Sequence, residues 1–269
     1  MSKRLVVANW KMNPQTLKEA ESVFLGVAKS IKKVRNCEIV VCAPFSFISV
    51  LKAKNKRKIL LGAQNVSSYG EGAYTGEVSA KMLKSLSVDY VIVGHSERRA
   101  MGETNELISH KIFHAIKNGL TPILCIGEKS RDQDGEYLSF IKNQLVECLK
   151  DFPKPQIKNI IVAYEPVWAV GKDAVREATP SEFIEVSIFI RKVISDLYDS
   201  KVAHSVKIIY GGSVHRENVE SFISQGQSSG FLIGRDSLNI KKFGEIINII
   251  EKTKWFLSQK LGTLKVRKY

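Results

Sequence analysis

The feature that most constrains how this chain can fold is a series of eight short apolar runs spaced along most of its length. They cover residues 5–8, 39–43, 59–61, 90–93, 123–126, 160–164, 208–210 and 231–233. Short runs without polar alternation are typical of strands that are buried on both faces. Apolar residues at helical spacing lie between most of the runs, for example over 138–152,. Strands that alternate with helices predict a parallel sheet, which is either open or closed into a barrel.

Polar residues at the ends of the runs distinguish these two architectures. In an open sheet the functional groups gather at one switch point, whereas in a closed (β/α)8 barrel the carboxyl ends of all strands face one mouth. Residues that can take part in chemistry follow nearly every run: Asn9, Lys11, Gln64, Asn65, His95, Glu97, Glu128, Glu165, Gly211, Gly212, Ser213, Gly234 and Arg235. This distribution favours the barrel. Because no linker or repeat interrupts it, we expect a single barrel domain over 1–251.

The end of the chain differs from the rest in charge. From Lys252 onward there are six basic residues and no acid, in a chain whose 41 basic and 27 acidic residues give a net charge of +14. We expect 252–269 to be a short basic extension, with Trp255 and Phe256 packed against protein because large apolar side chains are costly to leave in water. The remaining charge is diffuse, without the interleaved aromatic residues of single-strand binders. We expect no nucleic acid partner, although an anionic partner for the extension stays open.

Composition also bears on where the protein works. The chain is 44% hydrophobic and 25% charged, values that argue against disorder,. No stretch approaches the ~18 apolar residues of a membrane helix, so we expect no membrane partner. The four cysteines show neither CxxC spacing nor the pattern of a disulfide framework,. This favours a reducing compartment, and hence the cytoplasm.

A histidine and a glutamate directly follow the fourth and sixth runs. His95 lies where barrels place catalysis, and the helix start after it can supply N–H donors that hold the ring neutral. Glu165 stands between an aromatic residue and a proline, and apolar surroundings make a carboxylate a stronger base,. Each could instead be structural, the histidine satisfied in the core and the glutamate paired with Lys11 or Arg98. Together with the ammonium of Lys11, they suit proton abstraction next to a carbonyl.

Glycine-rich segments follow the last two runs. Gly211 and Gly212 precede Ser213, and Gly234 precedes Arg235. Glycines in such places can simply form tight turns. Barrels, however, often bind phosphate with the loops after strands 7 and 8, through backbone N–H groups that small residues leave accessible. The two segments together predict a phosphate site.

The sequence predicts neither a metal site nor a nucleotide cofactor. His110 and His114 lie four residues apart in a helical pattern, but Lys111 stands where the zinc-protease motif requires glutamate, and no third ligand is evident,. The glycine fingerprints of nucleotide-binding folds are absent in a suitable context.

Seven segments, in order, resemble the triosephosphate isomerase family across roughly residues 3–251. They are Asn9-Trp10-Lys11-Met12-Asn13, Gly62-Ala63-Gln64-Asn65, Gly72-Ala73-Tyr74-Thr75-Gly76-Glu77, Val91-Ile92-Val93-Gly94-His95-Ser96-Glu97-Arg98-Arg99, Cys125-Ile126-Gly127-Glu128, Ala163-Tyr164-Glu165-Pro166-Val167-Trp168-Ala169 and Tyr210-Gly211-Gly212-Ser213. The resemblance implies a TIM barrel enzyme of glycolysis and gluconeogenesis that needs no cofactor or metal. It would interconvert dihydroxyacetone phosphate and D-glyceraldehyde 3-phosphate through an enediolate. The pairing of a glutamate base with a neutral histidine is known chemistry of this family.

The resemblance also implies catalytic roles for the matching residues. Glu165 matches the base and His95 the electrophile. Lys11 and Asn9 match the pair that binds substrate and stabilises charge, and Glu97 matches a supporting carboxylate. A different phosphosugar barrel enzyme would keep the phosphate segments but should not share the set of His95, Glu165 and Lys11.

The same resemblance implies how the substrate phosphate is bound and how two subunits assemble. The phosphate would be held, mostly through backbone N–H groups, by Gly171, Ser213, Gly234 and Arg235. The segment Tyr74-Thr75-Gly76 resembles a loop that inserts into a neighbouring subunit, which implies a homodimer. Two features depart from the commonest family form: the segment over 168–180, which resembles a lid, is longer and lacks a Thr-Gly-Lys hinge, and Arg235 replaces a second glycine.

Overall fold

Eight parallel strands form a closed barrel in which each strand pairs with its neighbours in the sequence and β8 returns to β1. The computed structural model describes residues 3–55, 59–132, 134–171 and 174–253. The strands are β1 Arg4–Asn9, β2 Cys37–Ala43, β3 Leu60–Ala63, β4 Val88–Val93, β5 Thr121–Ile126, β6 Ile161–Tyr164, β7 Lys207–Tyr210 and β8 Gly230–Ile233. The predicted barrel is confirmed. No apolar run extends more than one residue beyond the strand that it predicts.

Helices connect the strands on the outside of the barrel. They are α1 Leu17–Ser30, α2 Phe45–Lys54, α3 Ala80–Ser85, α4 Ser96–Ala100, α5 Asn105–Lys117, α6 Glu136–Leu149, α7 Lys154–Ile157, α8 Pro180–Leu197, α9 Ser200–Ser205, α10 Val219–Ser224 and α11 Ile240–Lys252. Two 3₁₀ turns, Val167–Ala169 and Arg235–Leu238, follow β6 and β8. No helix in the described part of the chain is both long and apolar enough to cross a membrane.

The strands are buried on both faces because they contribute to two apolar clusters. Leu5 and Val7 belong to a cluster made only of strand residues, which fills the inside of the barrel. Val6 and Ala8, which point the other way, pack with helix residues such as Phe24,. This two-sided burial explains why the sequence shows continuous apolar runs instead of alternation.

Polar and small residues account for the differences between the runs and the strands. Arg4 begins β1 although it is charged, because its Nη1 donates to the carbonyls of Ile250 at 3.0 Å and Thr253 at 2.6 Å. Gly62 lies within β3 because a side chain there would place its Cβ 2.3 Å from the Sγ of Cys42. Both causes are tertiary contacts.

The end of the barrel is described as far as Thr253. Helix α11 ends at Lys252, one residue beyond the expected domain boundary. Residues 254–269 lie outside the described residues, so the expectation that Trp255 and Phe256 pack against protein stays a prediction.

Candidate active site

A cavity of about 540 Å³ opens at the carboxyl ends of the strands. It is lined by all nine residues predicted for the site, namely Asn9, Lys11, His95, Glu97, Glu165, Gly171, Ser213, Gly234 and Arg235. They come from the ends of β1, β4, β6, β7 and β8 and the loops that follow. The closed barrel brings them together because parallel strands place their carboxyl ends at one mouth.

His95 is positioned by the helix that it begins. It is the N-cap of α4, and its Nδ1 accepts a hydrogen bond from the backbone N–H of Glu97 at 3.2 Å. An imidazole nitrogen that accepts carries no hydrogen, so the hydrogen of the neutral ring lies on Nε2. The side chain is 8% exposed, and Nε2 lies 3.3 Å from the Oε1 of Glu165. The ring can therefore donate from Nε2 into the cavity.

Glu165 follows β6 and is 3% exposed. Its Oε2 accepts from the backbone N–H of Ser96 at 3.1 Å, so the same turn that carries His95 also orients the carboxylate. The neighbouring β7 approaches closely: a Cβ on Gly211 would lie 2.9 Å from the Cγ of Glu165. The glycine therefore leaves the space that the carboxylate occupies.

Contacts of both its backbone and its side chain fix the position of Lys11. Its backbone has a positive φ of 54°, and its N–H donates to the Oδ1 of Asn9 at 3.0 Å. Its Nζ lies 2.6 Å from the Oε1 of Glu97. The amide of Asn9 thus stabilises an uncommon backbone conformation, and Glu97 directs the ammonium group.

The loops that follow β6, β7 and β8 bring backbone donors to the cavity. The N–H groups of Gly171, Ser213 and Gly234 make no hydrogen bond within the described parts of the chain. Gly171 has a φ of 88°, a conformation that favours glycine,. Backbone N–H groups that line one cavity and have no partner among the described residues are suited to bind an anion,. The guanidinium of Arg235 has no ion pair or hydrogen bond to another described residue.

The structure adds Glu128, for which sequence reasoning named no role beyond its place after a strand. It is 1% exposed, and its Oε1 accepts from the hydroxyl of Tyr164 at 2.8 Å and the indole N–H of Trp168 at 2.7 Å. Burial raises the pKa of this carboxyl. Glu128 therefore fastens the start of the segment that carries Gly171. The Cys-Ile-Gly-Glu motif marked its position, but not these contacts.

Two further residues of the cavity, Glu177 and His215, were not predicted as site residues. The Nε2 of His215 lies 3.0 Å from the Oε1 of Glu177. No local pattern in the sequence marks either residue.

Among the described residues, His110 and His114 belong to no group of three or more side chains that could hold a metal ion.

Most of the chain is similar to proteins of one known family. The family model described as triosephosphate isomerase matches residues 4–250. The chain is 42% identical over 250 residues to a triosephosphate isomerase of Dictyoglomus thermophilum, a match that covers 92% of this chain and 99% of the relative. It is 38% identical over 251 residues to that of Alkaliphilus metalliredigens, covering 92% of this chain and all of the relative. It is 37% identical over 247 residues to that of Protochlamydia amoebophila, covering 91% and 92%.

Proposed function

This chain belongs to the triosephosphate isomerase family, and we propose that Glu165, His95 and Lys11 are the groups with which it interconverts dihydroxyacetone phosphate and D-glyceraldehyde 3-phosphate. This interconversion is a step of glycolysis. The observation that carries the assignment of residues is the convergence of all nine predicted side chains and loops on one cavity.

The carboxylate of Glu165 removes a proton from the carbon next to the substrate carbonyl. Its burial supports this role, because a buried base exchanges its proton with the substrate and not with bulk water,. After the proton moves, the substrate is an enediolate. The Nε2 of His95 gives a proton to the former carbonyl oxygen and takes one from the neighbouring hydroxyl, and the Glu165 carboxyl returns its proton to the former carbonyl carbon. Both transfers are needed to convert ketose to aldose.

His95 and Lys11 stabilise the negative charge that develops on the substrate oxygens. The Nε2–H of His95 donates to the carbonyl oxygen, and the closeness of Nε2 to Glu165 supports simultaneous contact with one small substrate,. The ammonium of Lys11 adds a positive charge, which Asn9 and Glu97 hold in position. A base, a neutral donor and a cation supply what proton transfer next to a carbonyl needs, and we propose no cofactor or metal for it.

The phosphate group of the substrate lies against the loops after β6, β7 and β8. The N–H groups of Gly171, Ser213 and Gly234, which make no hydrogen bond to another described residue, support this placement,. Arg235 adds a backbone N–H at the start of the turn after β8, and its bulky side chain lies at the rim.

A coupled assay tests the function directly. Purified protein is mixed with dihydroxyacetone phosphate, and glyceraldehyde 3-phosphate is detected with its dehydrogenase. We expect rapid turnover in buffer treated with a metal chelator. Failure to turn over either triose phosphate, with the barrel shown to be folded by circular dichroism, would contradict the proposal.

We also propose that the protein is a homodimer through the loop that contains Tyr74-Thr75-Gly76. Residues 69–77 are all exposed, although Tyr69 and Tyr74 stack with ring centroids 3.9 Å apart. Other large apolar side chains at this end of the barrel are also in solvent: Met12 is 84%, Met82 58% and Met101 79% exposed. Large apolar side chains exposed in this loop and in the segments that follow β1, β3 and β4 support burial against a second copy,.

We propose that the protein is located in the cytoplasm. Cys37, Cys42, Cys125 and Cys148 are all free and buried. Free buried thiols support a reducing environment, since disulfides form and persist mainly outside it. Cell fractionation with detection of the protein in the soluble cytoplasmic fraction tests this location.

A further inference from the structure

The loop that follows β7 contacts the chain on both sides of Gly171. Before Gly171, the hydroxyl of Ser213 donates to the carbonyl of Ala169 at 2.9 Å. After it, the Nε2 of His215 lies 3.0 Å from the Oε1 of Glu177 and 3.1 Å from its Oε2. One short loop, which also carries a proposed phosphate donor at Ser213, therefore holds both flanks of the segment that carries another at Gly171.

The position of His215 is fixed from its own loop. The amide of Asn218 accepts from the backbone N–H of His215 at 3.0 Å and donates to the carbonyl of Ser213 at 2.9 Å; the same nitrogen lies 2.9 Å from His215 Nε2. The other ring nitrogen, Nδ1, lies 2.9 Å from the Oε2 of Glu217, which also pairs with Arg216. The imidazole thus bridges one carboxylate on its own loop and one on the segment before α8.

Glu177 introduces an acidic group into a cavity that is built to hold an anion. Glu177, His215, Ser213 and Gly171 all line the same cavity. A carboxylate beside a phosphate site repels the phosphate and competes for its donors. A hydrogen on the Nε2 of His215, which lies between the two carboxylate oxygens, gives the Glu177 carboxylate a donor of its own,. The side chain of His215 is 29% exposed and that of Glu177 is 60% exposed. Because solvent screens such a pair, we expect its loss to weaken phosphate binding only modestly.

We propose that His215 is a positioning residue for phosphate binding. It holds the Glu177 carboxylate against the loop after β7, so that this anion does not oppose a phosphate at the N–H groups of Gly171, Ser213 and Gly234. The proposal rests on the proposed function for the identity of the substrate, but the binding of phosphate can be measured without turnover.

The test is a double-mutant cycle between His215→Ala and Glu177→Gln. His215→Ala leaves Glu177 charged and without its partner, so KM for dihydroxyacetone phosphate and the calorimetric Kd of inorganic phosphate should both rise about two- to fivefold, with kcat nearly unchanged. Glu177→Gln removes the charge and should leave both constants at or below wild type. The double variant should return both constants close to wild type, because the repelling carboxylate is gone.

The matched control is Glu217→Gln. Glu217 does not line the cavity, and glutamine removes its charge but keeps a side-chain oxygen for the Nδ1 of His215. This variant should leave KM and the Kd of phosphate at the wild-type values. The proposal would be overturned if the double variant bound phosphate as weakly as His215→Ala does. It would also be overturned if His215→Ala bound phosphate as tightly as wild type. Wild-type protein that binds phosphate with this mutational pattern but does not isomerise the triose would instead contradict the proposed function.

Discussion

The two oxygens of the Glu165 carboxylate have different partners. Oε2 accepts from the backbone of Ser96, and Oε1 faces the Nε2 of His95. The first contact orients the group, and the second leaves an oxygen beside the donor that we propose polarises the substrate. A carboxylate that is both fixed and adjacent to an electrophile is suited to proton transfer with little rearrangement.

Replacing Glu165 with glutamine tests this assignment. Glu165→Gln keeps the shape and the hydrogen bond from Ser96 but removes the base, so kcat should fall by at least the ~10²–10⁴-fold that is usual for the loss of a general base. KM should change much less, because the phosphate contacts are intact. Steady-state kinetics on protein with an unchanged melting temperature measures both, and a kcat within tenfold of wild type would move the base elsewhere.

At the scale of elements, the segment between β6 and α8 is anchored on both sides of Gly171. On the first side, Glu128 holds Trp168. On the second, the guanidinium of Arg176 lies 4.5 Å over the Trp168 ring, and α8 begins with a capping box between Thr179 and Glu182. The cap is a local feature whose donors and acceptors lie within the Thr-Pro-Ser-Glu segment 179–182, whereas the ring contact depends on tertiary folding,.

Acid should weaken the second anchor. The hydrogen bond from the Arg176 guanidinium lowers the pKa of the Glu182 carboxyl to about 2, from 4.5. A lowered pKa means that the ionised form favours the folded state, so its stabilisation is complete above about pH 5 and is lost as the pH falls toward 2. Glu182→Gln keeps a capping side chain but not the charge. The difference in melting temperature between wild type and this variant should therefore narrow between pH 5 and pH 2, and a constant difference would contradict the assignment.

At the scale of the whole molecule, the face that carries the proposed dimer loop is next to the catalytic mouth. Met12 directly follows Lys11, and Met101 directly follows α4, the helix that His95 begins. A second copy seated on these side chains would cover the surface beside two catalytic residues. Assembly would then support the position of the site as well as remove apolar surface from water.

A charged substitution in the loop tests the dimer. Tyr74→Arg places a cation in an apolar contact and should convert the protein from dimer to monomer, as measured by light scattering during gel filtration. Ile188→Arg is the matched control, because Ile188 is 64% exposed but lies on α8, away from this loop. A monomeric wild type, or a Tyr74→Arg protein as dimeric as the control, would argue against this interface.

The basic extension should be dispensable for catalysis. Arg4 binds the carbonyl of Thr253, so a deletion that begins at residue 254 preserves the anchor of α11. Such a protein should keep kcat/KM within about fivefold, since no residue from 254 onward is among the predicted site residues. Its melting temperature or elution volume should change, because we expect Trp255 and Phe256 to be packed against protein. A folded truncated protein that has lost activity would show that the extension belongs to the active site.

By itself the sequence determined the order and position of the strands, the presence of helices between most of them and the chemical types at the strand ends. These features follow from local periodicity and from motifs that share their residues with the family. The cap of α8 was also predictable, because its donors and acceptors lie within four residues of one another,.

Only the tertiary structure decided which of these groups meet. Lys11 pairs with Glu97 across 86 positions, and the backbone of Ser96 reaches Glu165 across 69. The contact between His215 and Glu177 spans 38 positions and has no motif at all. Closure of the barrel fixes these distances through the pairing of strands that are remote in sequence, and local periodicity carries no information about which remote side chains share a cavity.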